Sequence, residues 1–286
     1  MSASACGHGD MAVLPEALLA RLGLTRRQVH TDAAAMARLA RARRDDTGLA
    51  LCLLPFCCTV EAEALGASID LGDAVAGPRA GAFVCDGLRD VLALAPMGLR
   101  AGRLGQVLAA CAGLARAGEA VALEISGPLT ILNWLMDLTT VFKEWRRDEA
   151  LFRDVLDRLA EELRLFALAA AKAGVWAVSF ADPVGTVGVL GPGRFGVLAD
   201  AFTVPFLRRL READGFGARL HVCPRTAGAL VAQGRATWRE WPVDDRAFPG
   251  AAGLPAGHNR LSGEACLKNA GYRPKGGVVR ELVLRP

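Results

Sequence analysis

Four apolar runs, at residues 49–56, 121–125, 175–180 and 219–222, recur along the chain with helix-period segments between them. Short runs with little polar alternation suit strands covered on both faces, which is the profile of a parallel sheet. Parallel neighbours cannot be joined by a tight turn, so each connection needs a crossover, usually a helix. The intervening segments supply that period. Residues 31–44 place Ala35, Met36, Leu39 and Ala40 on one face behind Thr31 as a cap, and Gly48 closes the helix. Residues 104–117 and 144–172 read as helices, the second ended by Gly174, and 195–213 reads as helical despite Pro205. The expected fold is an α/β, (β/α)8 TIM-barrel-like domain over 1–286, shortened or irregular in its C-terminal third. Residues 1–47 form a helical leading segment, and 276–286 an irregular C-terminal strand.

Polar residues gather just after the strand ends: Glu61, Glu63, Ser126, Asp182, His221 and Cys223. In a barrel that is the face where chemistry is built. Charge excludes some partners: 34 Lys and Arg stand against 30 Asp and Glu, a net +4 that gives nucleic-acid binding no support. The short basic clusters at 41–44 and 146–147 read as solvated helix faces. No run of about 18 uninterrupted apolar residues is present, and residues 1–10 lack the pattern of a signal peptide. A cytoplasmic location with no membrane partner is therefore expected, where thiols stay reduced. Eight cysteines in that setting call for core packing, catalysis or a metal. Cys52, Cys85 and Cys111 lie in apolar or helical patterns and read as packing.

His221-Val222-Cys223 carries the most chemical information. Residues i and i+2 of a strand point to the same side, so imidazole and thiol converge. Zinc accepts nitrogen and sulfur donors but needs at least one more, and Cys266 after the turn-like 263–265 is the best candidate. The competing reading is a core histidine beside an inert buried cysteine. His258 is a spare donor, whereas Cys57 and Cys58 are not expected to be ligands.

Further motifs point to a family. Residues 59–66 (TVEAEALG) after Pro55-Phe56, the 125–130 turn (ISGPLT), Ala173-Gly174, Phe180-Ala181-Asp182-Pro183, Pro205-Phe206-Leu207 and Leu220-His221-Val222-Cys223 occur in order. The chain so resembles the uroporphyrinogen decarboxylase-like superfamily, and within it the zinc methyltransferases that use methylcobamide and coenzyme M. That resemblance implies a barrel, a zinc ion on His221, Cys223 and Cys266, and methyl transfer from a methylcobalamin-type corrinoid, carried on a corrinoid protein, to a small thiol. It further implies that Ser126, Gly127 and Pro128 form the cofactor-binding turn, and that Asp182 and Glu63, or Glu61, complete the zinc sphere or orient His221. Asp182 has the alternative role of capping a neighbouring helix, and Glu61 and Glu63 that of a solvated helix start.

The chain also departs from that pattern. The stretch from Cys223 to Cys266 is too short for two further βα units of about 30 residues each. Residues 237–242 and 248–250 show no clean period, and Pro224 stands where the family has glycine. Two other functions compete with methyl transfer. Porphyrinogen decarboxylation needs no metal, but it needs an Arg-rich N-terminal motif and a central tyrosine; the sole tyrosine is Tyr272. The other is a non-catalytic corrinoid-binding paralogue.

Overall fold

The computed structural model describes residues 14–73, 75–242 and 260–285. Among the described residues, nine strands form two sheets: β1 (Cys52–Leu54), β2 (Ile69–Asp70), β3 (Arg79–Ala80), β4 (Val121–Ser126), β5 (Ala177–Ala181), β6 (Arg219–Val222), β7 (Ala236–Pro242), β8 (Leu261–Ser262) and β9 (Val278–Leu284). The main sheet runs β1-β4-β5-β6-β8-β9-β7, and β2 and β3 pair apart from it. β1, β4, β5, β6 and β8 are parallel, as the four apolar runs require. The first run pairs over three residues only, because Pro55 brings no N–H to extend it.

Departure from the barrel pattern begins after β6. β7 and β9 form an antiparallel pair in register from Ala236↔Leu284 to Pro242↔Val278. Residues 236–242, which look aperiodic in sequence, are thus a strand, its charged and aromatic side chains facing partly outward. The C-terminal strand is not at an edge, since β9 lies between β8 and β7. Among the described residues, nothing joins β7 back to β1.

The two faces of the sheet differ in chemistry. Outward residues Leu54, Leu123, Ile125, Val178, Phe180, Leu220 and Val222 join one large core with the helices. The Glu149–Lys172 helix supplies Phe152, Val155, Leu159, Leu163 and Phe166, at the three- and four-residue spacing that makes one buried stripe. Each such buried side chain contributes roughly 1.5–3 kcal/mol. The inner face instead carries small or polar residues: Ala122, Ala177, Ala181, Ser179 and Ser262.

Two helix boundaries differ from expectation, each through a better local hydrogen bond. Asp32, not Thr31, caps the Ala33–Thr47 helix by accepting from the Ala35 N–H at 2.8 Å, while the Thr31 hydroxyl donates back to Arg27 O. Gly48 ends that helix at φ 69°, the left-handed conformation glycine adopts without cost. The stretch expected as one helix over 144–172 breaks at Asp148, which closes Leu138–Arg147 and caps Glu149–Lys172 through the Leu151 N–H. Pro205 is accommodated because a π-helical turn, Ala199–Thr203, widens the backbone just before it. The helical run Val187–Glu212 is long and apolar enough to span a membrane by composition. Here Phe195, Leu198, Phe202, Phe206, Leu207 and Leu210 are buried in the outer core.

Candidate functional site

Register builds the site. Glu124, Ser179, His221 and Ser262 are mutual neighbours across β4, β5, β6 and β8, so they make one row on the inner face. Two residues further on, Ala181 and Cys223 share that side, and Cys266 packs against both in a small buried cluster. His221, Cys223 and Cys266 thus lie in one region of the inner face. His258 lies outside the described residues.

His221 is buried, and both ring nitrogens are engaged. Nε2 lies 2.9 Å from Ala265 O, and a carbonyl only accepts, so Nε2 carries the proton. Nδ1, 2.8 Å from Ser179 Oγ, is then left to accept the hydroxyl hydrogen. Burial holds the imidazole below its ordinary pKa, which keeps the ring neutral and consistent with that arrangement.

These donors suit zinc in kind, being one imidazole and two thiols. They do not suit it in arrangement: among the described residues, no three His, Cys, Asp or Glu side chains come together so as to hold a metal ion. The imidazole is spent on Ser179 and on the backbone of the segment that carries Cys266.

The expected carboxylates are occupied elsewhere. Asp182 follows β5 and caps the Pro128–Leu135 helix, accepting from Leu129 N at 3.2 Å, Thr130 N at 2.9 Å, Thr130 Oγ1 at 2.6 Å and Gly185 N at 3.2 Å. Of its two foreseen roles, the geometry displays helix capping. Gly127 leaves room for this carboxylate, since a Cβ there would sit 2.4 Å from Asp182 Cβ. Pro128 opens the helix at a position that needs no N–H donor.

Ser126 is held by Glu61, which accepts its N–H at 2.7 Å and its hydroxyl at 3.1 Å. Glu61 is buried rather than solvated, and burial raises its pKa. Glu63 pairs with Arg103 at 2.6 Å, away from His221, and burial raises its carboxyl too. Arg103 also donates to Cys57 Sγ at 2.8 Å and Thr59 Oγ1 at 3.1 Å.

Four residues of the inner row escaped the sequence reading: Glu124, Ser179, Ser262 and Lys268. Glu124 carried a signal, as a charge inside the otherwise apolar 121–125 run. Ser179 sits at the same parity as Ala177 and Ala181, which marks it as inward-facing once the strand is placed. Nothing local marks Lys268, which reaches Glu124 at 3.0 Å from far along the chain.

Comparison with known proteins agrees with this architecture. The uroporphyrinogen decarboxylase (URO-D) family profile matches residues 8–248. The curated methylcobamide:CoM methyltransferase MtaA of Methanosarcina barkeri is 27% identical over 216 residues, covering 74% of this chain and 62% of that protein. The corresponding MtbA of Methanosarcina acetivorans is 25% identical over 232 residues, covering 77% and 65%. The chain thus spans less than two thirds of the length of these relatives. A solved methyltransferase from Methanosarcina mazei shares the fold with a TM-score of 0.64 at 23% identity, covering 79% of this chain and 66% of that one. The family match stops before Cys266, so the place of that thiol rests on this chain's own geometry.

Proposed function

The chain belongs to the uroporphyrinogen decarboxylase family, and from that premise we propose that it is a methyltransferase moving a methyl group from a methylated corrinoid protein to a small thiol. One observation carries the reading: Cys223 and Cys266 meet in a buried cluster beside Ala181, and Ala265, next to Cys266, contacts His221. Sulfur and imidazole donors near the carboxyl ends of parallel strands are of the kind that a site handling a thiol acceptor uses, which supports the reading. The relatives act, by name, on methylcobamide and coenzyme M. Coenzyme M heads the panel of acceptors to be tried, and other small thiols follow.

The inner row argues against porphyrinogen decarboxylation. A substrate with several carboxylates needs several cations, and Lys268, which reaches this row, is already paired with Glu124. The non-catalytic corrinoid-binding reading keeps one specific observation in its favour, that both nitrogens of His221 are hydrogen-bonded inside the protein. The zinc implied by the resemblance would take His221, Cys223 and Cys266 only once the ring gives up one of those bonds.

Two measurements test the proposal. Purified protein is analysed for metal with and without Cys223→Ala, and methylcobalamin demethylation is followed spectroscopically with the thiol panel. The expected result is turnover on at least one thiol that Cys223→Ala abolishes, with any bound zinc lost in the same variant. Metal-free protein with no turnover on any thiol overturns the methyltransferase reading in favour of the non-catalytic one.

A further inference from the structure

The segment 263–268 lies across the inner face of the sheet. It enters at Gly263, the residue that permits the approach: a Cβ there would sit 2.7 Å from Ala227 Cβ and 2.9 Å from Val222 O. Cys266 packs at the level of Ala181 and Cys223, and Leu267 packs with Leu51, Ala122 and Ala177. Small inner-face residues make the space. Large branched side chains at 122, 177, 179 and 181, the usual filling of a barrel, would exclude the segment.

Two polar anchors flank the thiol. On one side Ala265 O accepts from His221 Nε2 at 2.9 Å. On the other, Lys268 Nζ pairs with Glu124 at 3.0 Å, both side chains largely screened from water at 17% and 29% exposure. Leu267 between them is 5% exposed. The row Glu124–Ser179–His221 therefore holds the chain on both sides of Cys266, and the Ser179 hydroxyl, donating to Nδ1, supports the tautomer that the bond to Ala265 O requires.

We propose that Glu124, Lys268 and His221 are positioning residues whose joint task is to hold Cys266 against Cys223, with His221 serving as an anchor of this strap. The inference rests on the proposed use of the two thiols. It also accounts for the mismatch with a metal sphere, because the imidazole that a metal would need is the one that secures the strap.

The test reads the strap without any metal. In chelator-treated, full-length protein, alkylation of each cysteine by iodoacetamide is timed by mass spectrometry. A buried thiol reacts only through opening, so its rate reports the opening equilibrium. Lys268→Met and His221→Leu should each speed alkylation of Cys266 by about tenfold or more, the effect of losing one charge-assisted or buried hydrogen bond. Cys111, fully buried in the Gly102–Arg116 helix, serves as the control for global unfolding and should keep its rate. The swapped pair Glu124→Lys with Lys268→Glu should restore slow reaction at Cys266, which a merely space-filling role would not. Unchanged Cys266 reactivity in both single variants overturns the inference, and so does equal acceleration at Cys111. A strap that behaves as expected in protein that never binds zinc would instead remove the metal part of the functional reading and leave the anchor standing.

Discussion

Acid should loosen this fold through His30. The residue lies in the Arg26–Thr31 helix, 3% exposed, with its ring edge-on to Phe56 at 6.4 Å. Burial lowers its pKa from 6.5 to about 4, and the nearby charges of Arg103 and then Arg26 push it the same way. The folded protein therefore keeps His30 neutral at pH values where the unfolded chain protonates it. Stability rises with pH wherever the unfolded state binds more protons, so this contribution is complete above pH 6.5 and is lost as pH falls toward 4. With those two pKa values the loss between pH 8 and pH 5 is about 2 kcal/mol, growing to about 3 kcal/mol at pH 4. The assay is urea unfolding at pH 8, 6.5 and 5 in the presence of chelator, comparing wild type with His30→Gln. Gln has no titrating group, so the stability gap between the two proteins should shrink by about 2 kcal/mol on going to pH 5. Carboxylates and His221 act on both proteins and cancel in the difference. A gap that stays constant to within about 0.5 kcal/mol, or an NMR titration of His30 near the ordinary histidine value, would refute the reasoning.

Steric space at the Asp182 cap gives a second test. Gly127→Ala should cost about 3 kcal/mol, the upper part of the overpacking range, because its Cβ meets the Asp182 side chain. Gly113→Ala, in a helix with nothing within 4 Å, should instead stabilise by about 0.4–1 kcal/mol; thermal unfolding measures both. Asp182→Asn turns one accepting oxygen into a donor facing a buried N–H, and should cost about 2–3 kcal/mol in urea unfolding. If instead Asp182→Asn leaves stability intact while abolishing turnover, Asp182 acts in the chemistry and not as a cap. Cys223→Ala and Cys266→Ala should each lower methyl transfer by orders of magnitude, as read by methylcobalamin demethylation.

The sequence by itself determined the parallel core and the sharing of one sheet face by His221 and Cys223. Apolar runs near 52, 121, 177 and 219 with helical periods between them admit few other arrangements, because a strand buried on both faces must be paired and covered. The two-residue spacing of His221 and Cys223 likewise needs only the strand period to put both on one side. Tertiary structure decided the rest, and the reason is physical in each case. Which of several polar groups an Asp or His satisfies depends on neighbours distant in the chain: Asp182 was equally able to serve a site or a helix end, and the amides of Leu129 and Thr130 chose. The amphipathic 236–242 segment carries no buried run, so only its pairing with 278–284 makes it a strand. Nothing local to 263–268 says that it fills the inner face. That follows from the small residues of β4, β5 and β8 leaving a space, and from Glu124 and His221 waiting there with the charge and the N–H donor that Lys268 and Ala265 O complement.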